Sequence, residues 1–243
     1  MILTLIGAGI SFDLTLSSVD ALKKADKIYI ETYTGKAEKE IIEFLEKLTG
    51  KEIILLPREK VESNFLIKEA TQSNICIISL GDPLIATTHT VLIIEAKKAG
   101  IEVNVIHNSS VYTAAPGKSG LQIYRFGKTA SLVNPRPNYK PTSSLDIIRK
   151  NLENNMHSLV LLDTEPEPME ARAALEMLNE FDSAVVLSRL GYPDEKITYG
   201  KIIDLLETEP DLGKPLFCII IPAQLHPLED EFLALYTLKH QKR

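Results

Sequence analysis

Several features that define specialised classes of protein are missing from this sequence of 243 residues. No apolar run approaches the roughly 20 residues that a helix needs to span a bilayer, and the first residues do not have the pattern of a signal peptide. We therefore expect a cytoplasmic protein without a membrane partner. The net charge is -6, with acidic and basic residues mixed along the chain. Because there is no basic stripe to neutralise phosphates, we expect no nucleic-acid partner.

The sequence is also poor in residues and motifs that support covalent or metal-dependent catalysis. It has two cysteines, Cys76 and Cys218, each inside an apolar run where a small buried thiol is the usual occupant. No spacing of histidine, cysteine and carboxylate resembles a zinc or iron site, so no metal is expected. A G-x-S-x-G elbow, a Walker loop and a cysteine nucleophile motif are absent. The absence of these motifs favours a reaction in which the protein mainly aligns the reactants. No residue stands out as a general base.

Short runs rich in Ile, Leu and Val are abundant. They predict buried strands, because they are too short for helices and too continuous to have one solvent-facing side. These runs cover residues 2–6, 28–30, 53–56, 75–80, 103–106, 159–162, 184–187 and 217–221. Helical periodicity appears between them at 41–48, 92–99 and 171–178, and Gly50 and Gly100 are expected as left-handed C-terminal caps of the first two helices.

Strands that alternate with helices require crossover connections, so the sequence predicts an α/β fold with at least one largely parallel sheet covered on both faces. The stretch 134–141 contains three prolines and interrupts this pattern, and it is expected to be an ordered loop of a second lobe. We place the lobe boundary after the fifth strand, which gives an N-terminal α/β lobe of residues 1–110 and a C-terminal α/β lobe of residues 111–243.

Polar or glycine-containing segments follow three of the predicted strands, at residues 7–15, 79–89 and 106–112. Open α/β sheets bind ligands at the carboxyl ends of their strands. Gly7 and Gly9 permit a close approach to a ligand, or they simply form a tight turn. The Asp82 carboxylate could accept hydrogen bonds from a ligand, or it could cap a following helix. For His89 and His107 the structural role of a hydrogen-bonded histidine is favoured.

Four segments together resemble the diphthine synthases, a family within the tetrapyrrole methylase superfamily. They are Gly-Ala-Gly-Ile at 7–10, Gly-Asp-Pro-Leu-Ile-Ala-Thr-Thr-His at 81–89, His-Asn-Ser-Ser-Val-Tyr at 107–112 and Gly-Leu-Gln-Ile-Tyr-Arg-Phe-Gly-Lys at 120–128. The resemblance continues through residues 141–143 to Leu225 and His226. The sequence departs from the commoner Gly-Leu-Gly-Leu pattern of the first segment at Ala8 and Ile10.

The resemblance implies a two-lobed fold, with a largely parallel sheet in the N-terminal lobe, a mixed sheet in the C-terminal lobe and a cofactor cleft between the lobes. It implies a homodimer that uses S-adenosylmethionine and releases S-adenosylhomocysteine. The implied partner is translation elongation factor 2, on which the amine of a 3-amino-3-carboxypropyl-histidine is trimethylated. Matching positions imply cofactor contacts at Ile10, Asp82, Ile85, Ser110, Val111, Leu162, Leu190 and Phe217.

Three basic residues of the C-terminal lobe, Lys118, Arg125 and Lys128, could meet the carboxylate of such a substrate. The favoured interpretation for each is a solvated side chain. Two other functions stay open from the sequence: methylation of a tetrapyrrole or of ribosomal RNA by another member of the superfamily, and nucleotide binding without catalysis through the turn at Gly7 and Gly9.

Overall fold

A computed structural model of the chain describes residues 1–33, 39–134 and 142–237. The chain forms two compact units, Met1–Ser110 and Val111–Arg243, and the sequence-based lobe boundary falls at the same position. The expected ordered loop at 134–141 lies outside the described residues, except for Asn134.

The first unit contains five strands connected through helices. The strands are β1 (Ile2–Gly7), β2 (Lys27–Glu31), β3 (Ile53–Leu56), β4 (Ile75–Ser79) and β5 (Glu102–Ile106). The helices are α1 (Leu16–Lys24), α2 (Lys39–Thr49), α3 (Arg58–Val61), α4 (Phe65–Ala70) and α5 (Thr90–Lys98). Thr15 caps α1, because its hydroxyl accepts a hydrogen bond from the backbone N–H of Ser18.

The strand order of the first sheet is β3-β2-β4-β1-β5, and each neighbouring pair is parallel. Alternate residues of the central strands bury both faces. Leu3 and Leu5 pack with Leu66 and Leu92 of the helices on one face, and Ile6 packs toward α1 and α2 on the other. A largely parallel sheet covered on both faces is therefore confirmed.

The second unit begins with α6 (Val111–Ser119), a short 3-10 helix (Ile123–Arg125) and β6 (Ala130–Leu132). Its remaining elements are α7 (Ser143–Glu153), β7 (Ser158–Leu162), α8 (Ala171–Met177), β8 (Ser183–Ser188), β9 (Lys196–Lys201), α9 (Ile202–Thr208), β10 (Phe217–Ile221) and α10 (Pro227–Ala234). The sheet order is β6-β7-β10-β8-β9, with β6 parallel to β7 and the other pairs antiparallel. The predicted mixed sheet is thereby confirmed.

All eight predicted strands are present, and both cysteines are buried and free. Burial raises the pKa of the Cys76 and Cys218 thiols to about 12. The expectation that every strand lacks a solvent-facing side is wrong for β5. This strand lies at the edge of the sheet, and its Glu102 and Asn104 are exposed. The expected caps Gly50 and Gly100 adopt left-handed φ angles of 68° and 73°.

Candidate functional site

The carboxyl ends of β4, β1 and β5 lie side by side at one edge of the first sheet, because these strands are adjacent and parallel. We call residues 8–15 the first loop, residues 80–89 the second loop and residues 107–110 the third loop. The three segments singled out in the sequence therefore meet in one place. Hydrogen bonds link the three loops to one another, so the sheet edge is a connected and ordered surface.

The first and second loops are joined through their main chains. The N–H of Gly9 donates to the carbonyl oxygen of Gly81 at 3.1 Å, and the N–H of Gly81 donates to that of Gly9 at 2.8 Å. At Gly7, a Cβ atom would lie only 2.6 Å from the Gly81 carbonyl oxygen. The close approach that Gly7 permits is therefore between two parts of the protein. The packing of the Gly81 carbonyl against β1 accounts for this glycine, and approach to a ligand is not needed to explain it.

The Asp82 carboxylate is buried between the second and third loops, with 7% of its side chain exposed. Its Oδ1 accepts a hydrogen bond from the N–H of Leu84 at 2.9 Å, and its Oδ2 accepts one from the N–H of Asn108 at 3.2 Å. Oδ2 also lies 2.8 Å from Nδ1 of His107, whose ring is largely exposed. Both carboxylate oxygens are therefore engaged within the protein. The helix-cap alternative is wrong, because α5 begins only at Thr90.

Two polar residues of the third loop hold the first loop in place. Nδ2 of Asn108 donates to the carbonyl oxygens of Gly7 and Asp13, at 3.0 and 2.7 Å. Oγ of Ser109 accepts a hydrogen bond from the N–H of Ile10 at 3.3 Å. The sequence located these residues in a polar loop but assigned no role to them. Short polar side chains in loops commonly bond to backbone groups, and this tendency is the signal that could have found them.

The other predicted cofactor contacts in the first unit lie in the same three loops. Ile10 is half-buried in the first loop, and Ser110 is buried at the end of the third. In the second loop, Ile85 has 39% of its surface exposed, next to Ala86 in the left-handed region with a φ of 57°. Ile85 therefore offers apolar surface to a ligand at the edge where the polar groups are already engaged within the protein.

A buried cluster of ionisable residues lies against the second loop, and the sequence did not predict it. His89 is fully buried, and its Nδ1 lies 2.8 Å from the carbonyl oxygen of Pro83. Its Nε2 lies 3.2 Å from the Tyr33 hydroxyl and 3.3 Å from Oε2 of Glu31, which is buried as well. Burial and the charge of Glu31 raise the pKa of Tyr33, so its hydroxyl keeps its proton. The structural role favoured for His89 is confirmed.

Three of the residues predicted to contact the cofactor in the second unit also lie at one sheet edge. In the register of β10, Cys218 lies opposite Leu161 of β7, and Phe217 lies opposite Ser188 of β8. Leu162 follows Leu161 directly, and Leu190 comes two residues after Ser188, so Leu162, Leu190 and Phe217 lie at the same edge. Leu190 and Phe217 are each 8% exposed. Val111 is half-buried at the start of α6.

The basic residues of the second unit are engaged differently from one another. Arg125, predicted to be solvated, forms an ion pair with the buried Glu229 and donates to the Gln224 carbonyl oxygen at 2.6 Å. That prediction is therefore wrong. Lys118 forms an ion pair with Glu195 at 2.7 Å. Lys128 is exposed, as expected.

Glu229 also holds a buried histidine of the second unit. Its Oε1 lies 3.3 Å from Nε2 of His157, and the other ring nitrogen, Nδ1, accepts a hydrogen bond from the N–H of Ala223 at 3.0 Å. Burial lowers the pKa of His157, although the Glu229 charge opposes this. Burial alone would raise the pKa of Glu229, but the N–H groups of His226 and Gln122 outweigh it and leave that pKa lowered.

A groove of about 680 Å³ lies in the first unit between α1 and the exposed side of β5. Thr4, Asp20, Lys24 and Asn104 are among its lining residues, and it includes His107 of the third loop. In the described ranges 1–33, 39–134 and 142–237, no group of three or more metal-ligating side chains occurs. Among the same residues, no helix is long and apolar enough to cross a membrane.

Residues 3–206 match the family model of the tetrapyrrole (corrin/porphyrin) methylases. The chain is 43% identical to a diphthine synthase of Methanocaldococcus jannaschii, over 91% of this chain and 92% of that one. It is 40% identical to a diphthine synthase of Staphylothermus marinus, over 92% and 89% of the two chains.

Solved structures agree with these relatives. A crystal structure of a diphthine synthase superposes with a TM-score of 0.88 at 31% identity, covering 98% of this chain and 96% of the other. That of a putative diphthine synthase from Entamoeba histolytica gives 0.87 at 34% identity, covering 98% and 99%. The two-unit α/β fold, the strand-end loops and the family match define a methyltransferase. Within that class, the chain belongs to the diphthine synthase family.

Proposed function

We propose that this chain uses S-adenosylmethionine to trimethylate the amino group of the 3-amino-3-carboxypropyl-histidine of translation elongation factor 2. This reaction is a step in diphthamide biosynthesis. The observation that carries the proposal is the 43% identity to a diphthine synthase along 91% of the chain. It is supported by the three loops, in which residues of three of the four segments of the family resemblance are close together.

We propose that the methyl donor contacts Ile10, Asp82, Ile85 and Ser110 of the first unit and Val111, Leu162, Leu190 and Phe217 of the second. The loops of the first unit fit such a molecule, because backbone groups, small side chains and the exposed apolar surface of Ile85 are close together there. Since both oxygens of Asp82 have protein partners, Asp82 acts chiefly by ordering the second and third loops. S-adenosylhomocysteine leaves as the product.

When bound, S-adenosylmethionine supplies a methyl group that its sulfonium has already activated. The protein therefore needs to hold the amine neutral, desolvated and in line, at about 3 to 3.5 Å from the methyl carbon. Val111 and Leu162 are half-buried apolar side chains and are suited to form walls that exclude water. No covalent nucleophile is required, and we assign no residue as a general base.

Three further features complete the proposal. The protein is a homodimer, it acts in the cytoplasm, and its protein substrate is elongation factor 2 that already carries the aminocarboxypropyl group. The unmodified factor is not a substrate, because the displacement needs an aliphatic amine and an imidazole ring does not provide it.

The decisive experiment is mass spectrometry of elongation factor 2 bearing the aminocarboxypropyl-histidine, before and after incubation with this protein and S-adenosylmethionine. We expect a gain of three methyl groups at one amine, and no gain on the unmodified factor. Methylation of a tetrapyrrole or of ribosomal RNA, with no gain on the modified factor, would overturn the substrate. Stabilisation by NAD or ATP but not by S-adenosylmethionine would favour a nucleotide-binding module. A ligand at 100 times its Kd stabilises a fold by about 2.7 kcal/mol, which a thermal-shift assay detects.

A further inference from the structure

The carbonyl oxygen of Pro83 is held by two side chains of its own loop. The Thr87 hydroxyl donates to it at 2.7 Å, and Nδ1 of His89 lies 2.8 Å from it. A carbonyl oxygen only accepts hydrogen bonds, so Nδ1 of His89 carries a proton and donates it. Both acceptor positions of this carbonyl are then used. Pro83 is the residue between Asp82 and Leu84, so this carbonyl fixes the backbone of the loop that leads to Ile85.

The histidine ring is itself fixed from the opposite side. Nε2 faces the Tyr33 hydroxyl at 3.2 Å and Glu31 Oε2 at 3.3 Å, and both residues lie at the carboxyl end of β2. The side chains of His89 and Glu31 are 0% exposed. Burying a carboxylate together with an imidazole is costly unless they are paired. This arrangement therefore links the second loop to the carboxyl end of β2.

We propose that His89 is a positioning residue of the methyl-transfer site, which fixes the second loop through the Pro83 carbonyl and is in turn oriented by Glu31 and Tyr33. The inference rests on the proposed function only in that the second loop receives S-adenosylmethionine. His89 is fully buried, so we expect its effect to be on donor affinity and not on the reacting atoms.

Two substitutions of His89 test the roles of the two ring nitrogens separately. The side-chain nitrogen of asparagine lies as many bonds from Cα as Nδ1 of histidine does, and that of glutamine lies as many bonds away as Nε2. His89→Asn therefore keeps the donor to Pro83, whereas His89→Gln keeps a group facing Glu31 and Tyr33 and loses that donor. A matched control is His157→Gln. His157 is also fully buried, but it precedes β7 and so lies at the sheet edge opposite to Leu162.

We expect calorimetry to give a Kd for S-adenosylmethionine about tenfold higher in His89→Gln, equivalent to about 1.4 kcal/mol. In His89→Asn and His157→Gln the Kd should stay within about threefold of the unaltered protein, since a loss below that is under 1 kcal/mol. At saturating donor, kcat should stay within about threefold in His89→Gln, because no group in contact with the reacting atoms is lost. Equal weakening in both His89 variants, or no weakening in either, would overturn the inference.

If His89→Gln does not fold, Thr87→Val takes its place, because it removes the second donor to the same carbonyl at a partly exposed position. A raised Kd in that variant supports the inference, and an unchanged Kd overturns it. Amide exchange provides a readout that does not depend on the cofactor. If the unaltered protein bound no S-adenosylmethionine, the proposed function would fail. Faster exchange at Leu84 and Ile85 in His89→Gln than in His89→Asn would still support the positioning role, and equal exchange would overturn it.

Discussion

Oδ2 of Asp82 and Nδ1 of His107 lie 2.8 Å apart, although the carboxylate side chain is 7% exposed and the imidazole side chain is 65% exposed. The pair joins the loop after β4 to the loop after β5. Because the carboxylate also accepts hydrogen bonds from two backbone N–H groups, it is the more important partner for the order of this sheet edge. His107 contributes from solvent, where a single contact stabilises little.

Asp82→Ala should therefore lower both the stability of the fold and the affinity for S-adenosylmethionine. The variant leaves the partly buried N–H groups of Leu84 and Asn108 without their acceptor, which costs about 1 kcal/mol, the low end of the range for buried groups. Denaturant unfolding measures the first effect and calorimetry the second. His107→Gln is the control, and its free energy of unfolding should change by no more than about 0.5 kcal/mol. An Asp82→Ala protein with unchanged stability and unchanged donor affinity would contradict the assignment.

Gly9→Val should abolish donor binding, whereas Gly100→Val should not. Both glycines have φ near +72°, so a β-branched residue is strained at either position. At Gly9 the added Cβ would lie 3.1 Å from Ser109 Oγ, and at Gly100 no heavy atom lies within 4 Å. Comparing the two variants by thermal unfolding and calorimetry separates backbone strain from damage to the three loops. Equal donor affinity in both variants would contradict a specific role of Gly9 in donor binding.

The stability of the protein should fall when the pH is lowered from about 8 to about 5. Burial holds the pKa of His157 below its ordinary value of 6.5, so the unfolded chain binds its proton more readily than the folded one. The stabilisation that a neutral His157 provides is complete above pH 6.5 and is lost as the pH falls toward the lowered folded-state pKa. Measuring Tm across this pH range tests whether stability falls as the pH is lowered. In His157→Gln the decline between about pH 7 and pH 5 should be smaller, and an equally steep decline would assign it to other groups.

Light scattering at micromolar concentration should give a mass near twice the chain mass of 27.0 kDa, as the proposed homodimer requires. The family resemblance motivates this expectation. A mass near 27.0 kDa under those conditions would contradict it.

The sequence predicted the sheets better than the side-chain roles, for a physical reason. Apolar runs such as 217–221 are continuous because both faces of the strand are buried, and this signal is local. Two strands were missed: β6, which has three residues, and β9, in which Thr198, Gly200 and two lysines dilute the apolar pattern. Among the helices, only α2, α5 and α8 were predicted. Helix α1 is one of those missed, because its polar residues at 17, 18 and 20 weaken the helical periodicity.

The loops at the candidate site could be located from the sequence, but the partners of their residues could not. Asp82 is buried because Asn108 and His107 come from a strand two positions away in the sheet, and no local pattern encodes that contact. Glu31 is the last residue of β2, after the apolar run 28–30, and a carboxylate there would ordinarily be assigned to the surface. Its burial depends on His89, which is distant in the sequence and becomes a neighbour only when β2 and β4 pair.

The position of β1 between β4 and β5 in the first sheet has a consequence for how the chain folds during synthesis. Leu3 is paired with Ile75 on one side and with Val103 on the other, so the first strand to be made is the last to be paired on both edges. Until β5 has emerged from the ribosome, an apolar strand with an open edge is available to other chains. Parallel pairing between strands so far apart in sequence is also slow. The chain loses the entropy of closing a long loop before the strand contacts that offset this loss can form. The nascent first unit is therefore a stage at which the open edge of β1 needs protection from aggregation.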